Sequence, residues 1–258
     1  MTRDAAREAP IIGLFVTCLV DLFRPSVAFA AIKLLEAGGA RVEVPLTQTC
    51  CGQPAYNSGD REDTKAIARQ VIEAFEGFDY CVAPSASCAG MLKLHFPELL
   101  ANDPAYGARA KMLAAKSFEL VGFLVDVLGM PRVDAEFAKR VTYHDSCSSL
   151  REVQSAAAAR RLLRSVDGIE LVELAEGEVC CGFGGAFSVK YPEIANAIVQ
   201  SKIRNIVATG ADCVLGGDLG CLLHIAGKLS REGSGVEVRH VAEVLAEMTD
   251  APAIGEKR

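Results

Sequence analysis

Apolar residues fall along this chain in two kinds of stretch, short unbroken runs and longer segments spaced by three and four, and the two kinds alternate. Residues 11–17 (IIGLFVT), 41–46 (RVEVPL) and 80–83 (YCVA) are short runs rich in strand formers, and each predicts a β-strand. Between them, residues 28–39 have helical apolar spacing closed by Gly38-Gly39, and residues 60–75 read as a helix with a charged outer face. A turn at residues 84–88 (PSASC) leads into another helix, and residues 106–128 are helical with a short fourth strand near Phe118. The second half repeats this order, with strands at 141–144, 169–174, 213–215 and 236–239. Its helices fall at 156–165, at 192–209 with Pro192 in the first turn, and beyond 239.

Strands alternating with helices predict parallel α/β layers. The repeated order predicts two tandem modules, each a small parallel sheet flanked by helices, related by pseudo-twofold symmetry. Gly129-Met130-Pro131 interrupts the helical pattern, so the expected boundary assigns residues 1–131 to the first module and 132–258 to the second. A chain of 258 residues can bury a core in each.

Composition narrows the function. With 50% apolar and 23% charged residues, wholesale disorder is excluded. A net charge of −6 and the lack of any basic run argue against a nucleic-acid partner. The first ten residues are polar, and the apolar run that follows is too short for a signal-peptide core or a bilayer span. A cytoplasmic protein without a transmembrane segment is expected. Ten cysteines in a reducing compartment point to metal binding or catalysis before disulfides.

Eight of those cysteines form two matching sets around a repeated Cys-Cys-Gly triplet. Cys18, Cys50, Cys51 and Cys88 recur as Cys147, Cys180, Cys181 and Cys221, displaced by 129 to 133 residues. Each cysteine follows a predicted strand, and in open α/β sheets ligands gather beyond the carboxyl ends of strands, so the four in each half should converge. Four thiolates suit an iron-sulfur cluster or a tetrahedral zinc. A loop must carry each vicinal pair, because successive strand residues face opposite ways. Gly52 and Gly182 supply the backbone freedom, and Gly184 and Gly185 bring N–H groups within reach of a cluster. Buried core cysteines are the alternative, which two matching sets disfavour.

These motifs resemble the cysteine-rich CCG-domain family. It includes the B subunit of heterodisulfide reductase, the iron-sulfur subunit of glycolate oxidase and, most similar, the lactate-utilization proteins. The resemblance rests on Cys18, Cys50-Cys51-Gly52 and residues 84–88 in the first half. In the second it rests on His144-Asp145-Ser146-Cys147 with Leu150-Arg151-Glu152, on residues 180–185 (CCGFGG) and on Asp218-Leu219-Gly220-Cys221. It implies an iron-sulfur electron-transfer subunit of a system that oxidises L-lactate or a related 2-hydroxy acid to pyruvate. It also implies one or two clusters, 4Fe-4S in type, and partner subunits of a lactate-utilization or glycolate-oxidase-like complex. The chain departs from the heterodisulfide reductase pattern, which ends in Cys-x-x-Cys. Ser85 and Asp218 stand at the first of those cysteines, leaving four thiols per site instead of five. A four-thiolate cubane, or zinc in one or both modules, then replaces the noncubane double cluster. The alternatives are a zinc-bearing structural or assembly module without redox activity, and a thiol/disulfide reductase like heterodisulfide reductase.

Outside the thiols, His144 stands three residues before Cys147, where Phe15 precedes Cys18. It is a candidate hydrogen-bond donor, ligand or proton carrier, or a structural histidine. Arg151 and Lys190 are candidates to hold a substrate carboxylate, with surface solvation as the alternative. Asp218 is a candidate ligand or base, or a helix cap. Cys81 and Cys213 fall within predicted strands and read as core, and His95, His224 and His240 read as structural. No Gly-x-Gly-x-x-Gly follows a predicted strand, so no flavin or nicotinamide site is visible.

Overall fold

A computed structural model describes residues 9–256. Two four-stranded parallel sheets lie in tandem. The first contains β1 (Ile11–Leu14), β2 (Arg41–Glu43), β3 (Tyr80–Ala83) and β4 (Ser117–Glu119), in the order β2-β1-β3-β4. The second contains β5 (Arg140–His144), β6 (Glu170–Val172), β7 (Cys213–Gly216) and β8 (Glu237–His240), in the order β6-β5-β7-β8. The α/β class and the duplicated topology agree with the sequence pattern. Three strands are shorter than the apolar runs suggest. β1 stops at Leu14 where the chain turns into the helix Cys18–Phe23, β2 stops two residues before Pro45, which cannot donate to a ladder, and β6 ends at Val172.

Register makes the repeat quantitative. Leu14 pairs with Val82 in one sheet and Tyr143 with Leu215 in the other, so Phe15 and His144 are equivalent positions. The helices Arg61–Phe75 and Pro192–Ala208 bury the same stripe. Thr64, Ala68, Val71, Ile72 and Phe75 of the first correspond to Ala195, Val199, Lys202, Ile203 and Ile206 of the second. Each buried aliphatic or aromatic side chain in such a stripe stabilises the packing by roughly 1.5–3 kcal/mol.

One apolar core crosses both halves, and a second, around Phe15, Phe75 and Phe96, belongs to the first half. The shared core runs from Ile12 and Leu14 through Phe123 and Leu124 to Val141, Leu215 and Val244. The helix Ser26–Ala37 packs on Val241–Leu245 of the other half, and Ala156–Leu163 packs on Leu120–Gly122 and Phe123–Val127. The helix Ala86–Gly90 meets Cys147–Arg151, and Cys18–Phe23 meets Leu219–Arg231. Every such contact recurs with the halves exchanged, as a pseudo-twofold axis requires. Arg24 and Glu243 bond across it at 2.8 Å, with Ser26 donating to the same carboxylate at 2.6 Å.

Candidate metal centre

The strand order fixes where the chemistry sits. In each sheet the chain leaves the first strand in one direction and returns on its other side. The crevice at that reversal lies beyond the carboxyl ends of β1 and β3, and of β5 and β7. Cys18 and Cys147 open the helices that follow β1 and β5, while Cys88 and Cys221 lie in the first turn of the helices that follow β3 and β7. The vicinal pairs ride on loops seven and eight residues past β2 and β6, farther from their strands than the apolar runs imply.

All eight cysteines line a single cavity of about 420 Å³ between the halves. The sequence pattern predicts two convergent quartets; the structure adds that both open onto the same space. Sulfur atoms approach to 3.6 Å for Cys18 and Cys50, and to 2.9 Å for Cys181 and Cys221. The Cys-Cys-Gly loops turn through left-handed backbone, with Gly52 and Gly182 both at φ 79°. A Cβ on Gly182 would lie 2.6 Å from the Ala195 carbonyl, which only glycine tolerates. The turn aims N–H groups at sulfur: Gly182 donates to Cys180 Sγ at 3.3 Å and Phe183 to Cys181 Sγ at 3.5 Å. Phe183 in turn packs so close to Gly220 that a Cβ there would lie 2.5 Å from its ring.

Electrostatics follow from this crowding. Thiol donation from Cys18 and Cys51, with the Gly52 N–H behind it, lowers Cys50 to about 3. Donation from Cys147 and Cys181 lowers Cys180 to about 2. Cys18, Cys51, Cys147 and Cys181 are pushed well up, because each donates to a neighbouring sulfur and burial penalises its charge. Four partly or fully buried thiols this close ionise together only around a cation. The donor set, the loop geometry and the N–H groups on sulfur all fit a thiolate-bound metal or cluster.

The remaining candidates separate. His144 is 2% exposed, neither ring nitrogen has a hydrogen-bond partner, and its nitrogen lies within 4.8 Å of the sulfurs of Cys181 and Cys221. Asp218 lines the cavity and stands at the N-terminus of the helix Leu219–Arg231, yet its side chain does not cap it. Instead Oδ1 accepts from the Ser85 hydroxyl at 2.6 Å, the Ser87 hydroxyl at 2.8 Å and the Ser87 N–H at 3.1 Å. The two positions that depart from the Cys-x-x-Cys pattern thus touch each other across the pseudo-twofold axis. Arg151 and Lys190 are not among the cavity-lining residues. Cys81 and Cys213 are buried in β3 and β7, and burial pushes each thiol up to about 12. His95 faces Glu152 at 3.4 Å, His240 caps the helix Val241–Leu245, and His224 lies 2.9 Å from the Cys181 carbonyl, so it supports the second loop. Sequence reasoning passed over Lys202. Its signal was there, a lysine at an apolar position of the stripe on Pro192–Ala208.

The family model for the cysteine-rich CCG domain matches residues 12–93 and again 141–226. Lactate utilization protein A of Shouchella clausii is 49% identical over 234 residues, covering 91% of this chain and 98% of that protein. The protein of the same name from an Exiguobacterium species is 48% identical over 240 residues, covering 92% and 98%. That of Geobacillus kaustophilus is 49% identical over 234 residues, covering 91% and 98%. Among solved structures, a hypothetical protein from Helicobacter pylori matches 97% of the chain with a TM-score of 0.64 at 15% identity. This chain spans about half of that protein, 51%, and the likeness concerns the fold alone.

Proposed function

The chain belongs to the cysteine-rich CCG-domain family, alongside the lactate utilization A proteins, and from that premise we propose that it is the iron-sulfur electron-transfer subunit of an L-lactate-oxidising system that yields pyruvate. The observation that carries this is the single cavity faced by all eight repeated cysteines. When bound, iron-sulfur clusters would supply one-electron storage and transfer. Cys18, Cys50, Cys51 and Cys88 would hold the first, and Cys147, Cys180, Cys181 and Cys221 the second. The Gly182 and Phe183 N–H groups, already directed at sulfur, would stabilise anionic charge on the second site. Gly184 and Gly185 form the cavity wall beside it. Leu19, Phe183 and Leu219 give the cavity an apolar lining beside the thiols.

Lactate oxidation releases two electrons and two protons, and no hydride-accepting cofactor site is visible in the sequence. The first acceptor then resides on a partner subunit, and this chain carries electrons onward. His144, with both ring nitrogens unpartnered, and Asp218, with Oδ2 unpartnered, are the proposed proton carriers, and Arg151, exposed outside the cavity lining, is the proposed contact for a substrate carboxylate. Among the described residues no helix is long and apolar enough to cross a membrane.

One observation favours a second metal for the second half. His144 with Cys181 and Cys221 is a mixed nitrogen and sulfur set of the kind zinc accepts. Anaerobic purification with iron, sulfide and zinc analysis separates the two. Brown protein with iron and acid-labile sulfide is expected, its EPR signal reduced in Cys180→Ser. Colourless protein with stoichiometric zinc in both halves would overturn the electron-transfer reading.

A further inference from the structure

The two quartets match in sulfur but not in their surroundings. Three positions related by the repeat exchange an apolar residue in the first half for a basic one in the second. Phe15 corresponds to His144 through the strand register. Leu22 corresponds to Arg151, since Cys18–Phe23 and Cys147–Arg151 begin on equivalent cysteines. Val71 corresponds to Lys202 through the buried stripes of Arg61–Phe75 and Pro192–Ala208.

Lys202 is the telling member. It is 0% exposed, and its Nζ donates to one acceptor, the Gly177 carbonyl, at 3.0 Å. A buried ammonium with a single neutral partner is costly unless negative charge lies nearby. Gly177 stands three residues before Cys180, so this bond ties Lys202 to the loop that carries the vicinal pair, and the acidic groups that act on it are the thiols of Cys147, Cys180 and Cys181, together with Asp145. Asp145 is already committed, since it accepts from Arg160 at 2.7 and 2.9 Å. The charge left to balance Lys202 is that of the second quartet. Arg151 adds positive potential at Cys147. Asp218, which bonds Ser85 and Ser87 of the other half, opposes both at Cys221, so two cations stand against one carboxylate around the second quartet. The largest influences on Cys18, Cys50 and Cys51 are one another, Cys88, burial and backbone N–H groups, with no basic residue among them.

We infer that Lys202, assisted by Arg151, is a positioning residue for charge that holds the second centre at a higher reduction potential than the first. Reduction adds a negative charge to a cluster, and a fixed cation in a low-dielectric interior favours the reduced form. Reducing equivalents therefore settle on the second quartet before the first. The inference rests on the proposal that both quartets hold clusters.

The test is an EPR-monitored dithionite titration of the anaerobic protein, with Cys50→Ser and Cys180→Ser identifying which signal belongs to which quartet. Wild type is expected to show two midpoints, the higher one lost in Cys180→Ser. Lys202→Gln keeps a donor for the Gly177 carbonyl and removes the charge. It should lower that midpoint by at least a tenfold change in equilibrium, 59 mV for one electron, and leave the other in place. Arg151→Leu, at an exposed position, should lower it by a smaller step. Loaded Lys202→Gln and Arg151→Leu proteins with unmoved midpoints, or a wild type whose first centre is the higher, overturn the inference while leaving the electron-transfer reading intact. Wild type lacking iron and sulfide removes that reading, and this inference with it.

Discussion

Glu119 ends β4 and caps the next helix, accepting from the Gly122 N–H at 3.0 Å while only 6% exposed. Burial raises its carboxyl from 4.5 to about 7, with the nearby charge of Asp218 adding to the effect. Tyr143 shares the site, since its hydroxyl and the Glu119 carboxylate flank Gly217. Below pH 4.5 the group is protonated in both folded and unfolded chains. Between 4.5 and about 7 only the unfolded chain ionises, so stability falls as pH rises through this window and levels off above it. At roughly 1.4 kcal/mol per unit the loss is about 3 kcal/mol. Glu119→Gln should flatten that dependence in urea titrations between pH 5 and 8; an equally steep slope in the variant would show that other groups set it. Residues of this kind mark the limit of sequence reading. The eight thiols were legible because their spacing repeats. Glu119 and Lys202 were not, because a polar residue in an amphipathic segment reads as solvated until the packing shows which face it occupies.

At the scale of elements, the Cys-Cys-Gly loops make the sharper test. Gly52 and Gly182 share φ 79°, so alanine at either carries the left-handed penalty of about 1 kcal/mol. Only at Gly182 would the new Cβ meet backbone, 2.6 Å from the Ala195 carbonyl; at Gly52 it meets the Ile67 methyl at 3.3 Å. Gly182→Ala should therefore displace the second loop from its helix and lose bound metal in that half, with a drop in Tm clearly larger than for Gly52→Ala. Equal effects of the two would mean that the halves are packed with the same slack. The loops, the alternation of strands and helices and the long helices were readable from periodicity and glycine placement. The helices Cys18–Phe23, Gln53–Asn57, Cys147–Arg151 and Phe187–Lys190 were not, since four to six residues cannot nucleate a helix alone and hold their form through tertiary contacts. Those short helices place Cys18 and Cys147 at the cavity, which explains why convergence was legible and its shared volume was not.

For the whole molecule, the repeat and the break at Gly129-Met130-Pro131 suggest two modules at 1–131 and 132–258, each able to bury a core, whereas the packing argues for interdependence. Helices of each half pack on helices of the other, and one apolar core runs without a break from Ile12 to Val244. Glu243 is fully buried, and its charge is met by Arg24 and Ser26 of the first half and by the His240 N–H at 3.3 Å. Arg24→Met strands that carboxylate and should cost about 3 kcal/mol, as for other buried pairs broken on one side. Expressed separately, residues 1–131 and 132–258 each expose the face that the other covers, and neither should unfold cooperatively or retain metal. Expressed together, they should recover a 1:1 complex with the metal content of the intact chain, and Arg24→Met in the first fragment should weaken it. A half that folds alone and fills its own quartet would show that the repeat is still two independent domains. The shared cavity would then be a consequence of their docking rather than of a common fold.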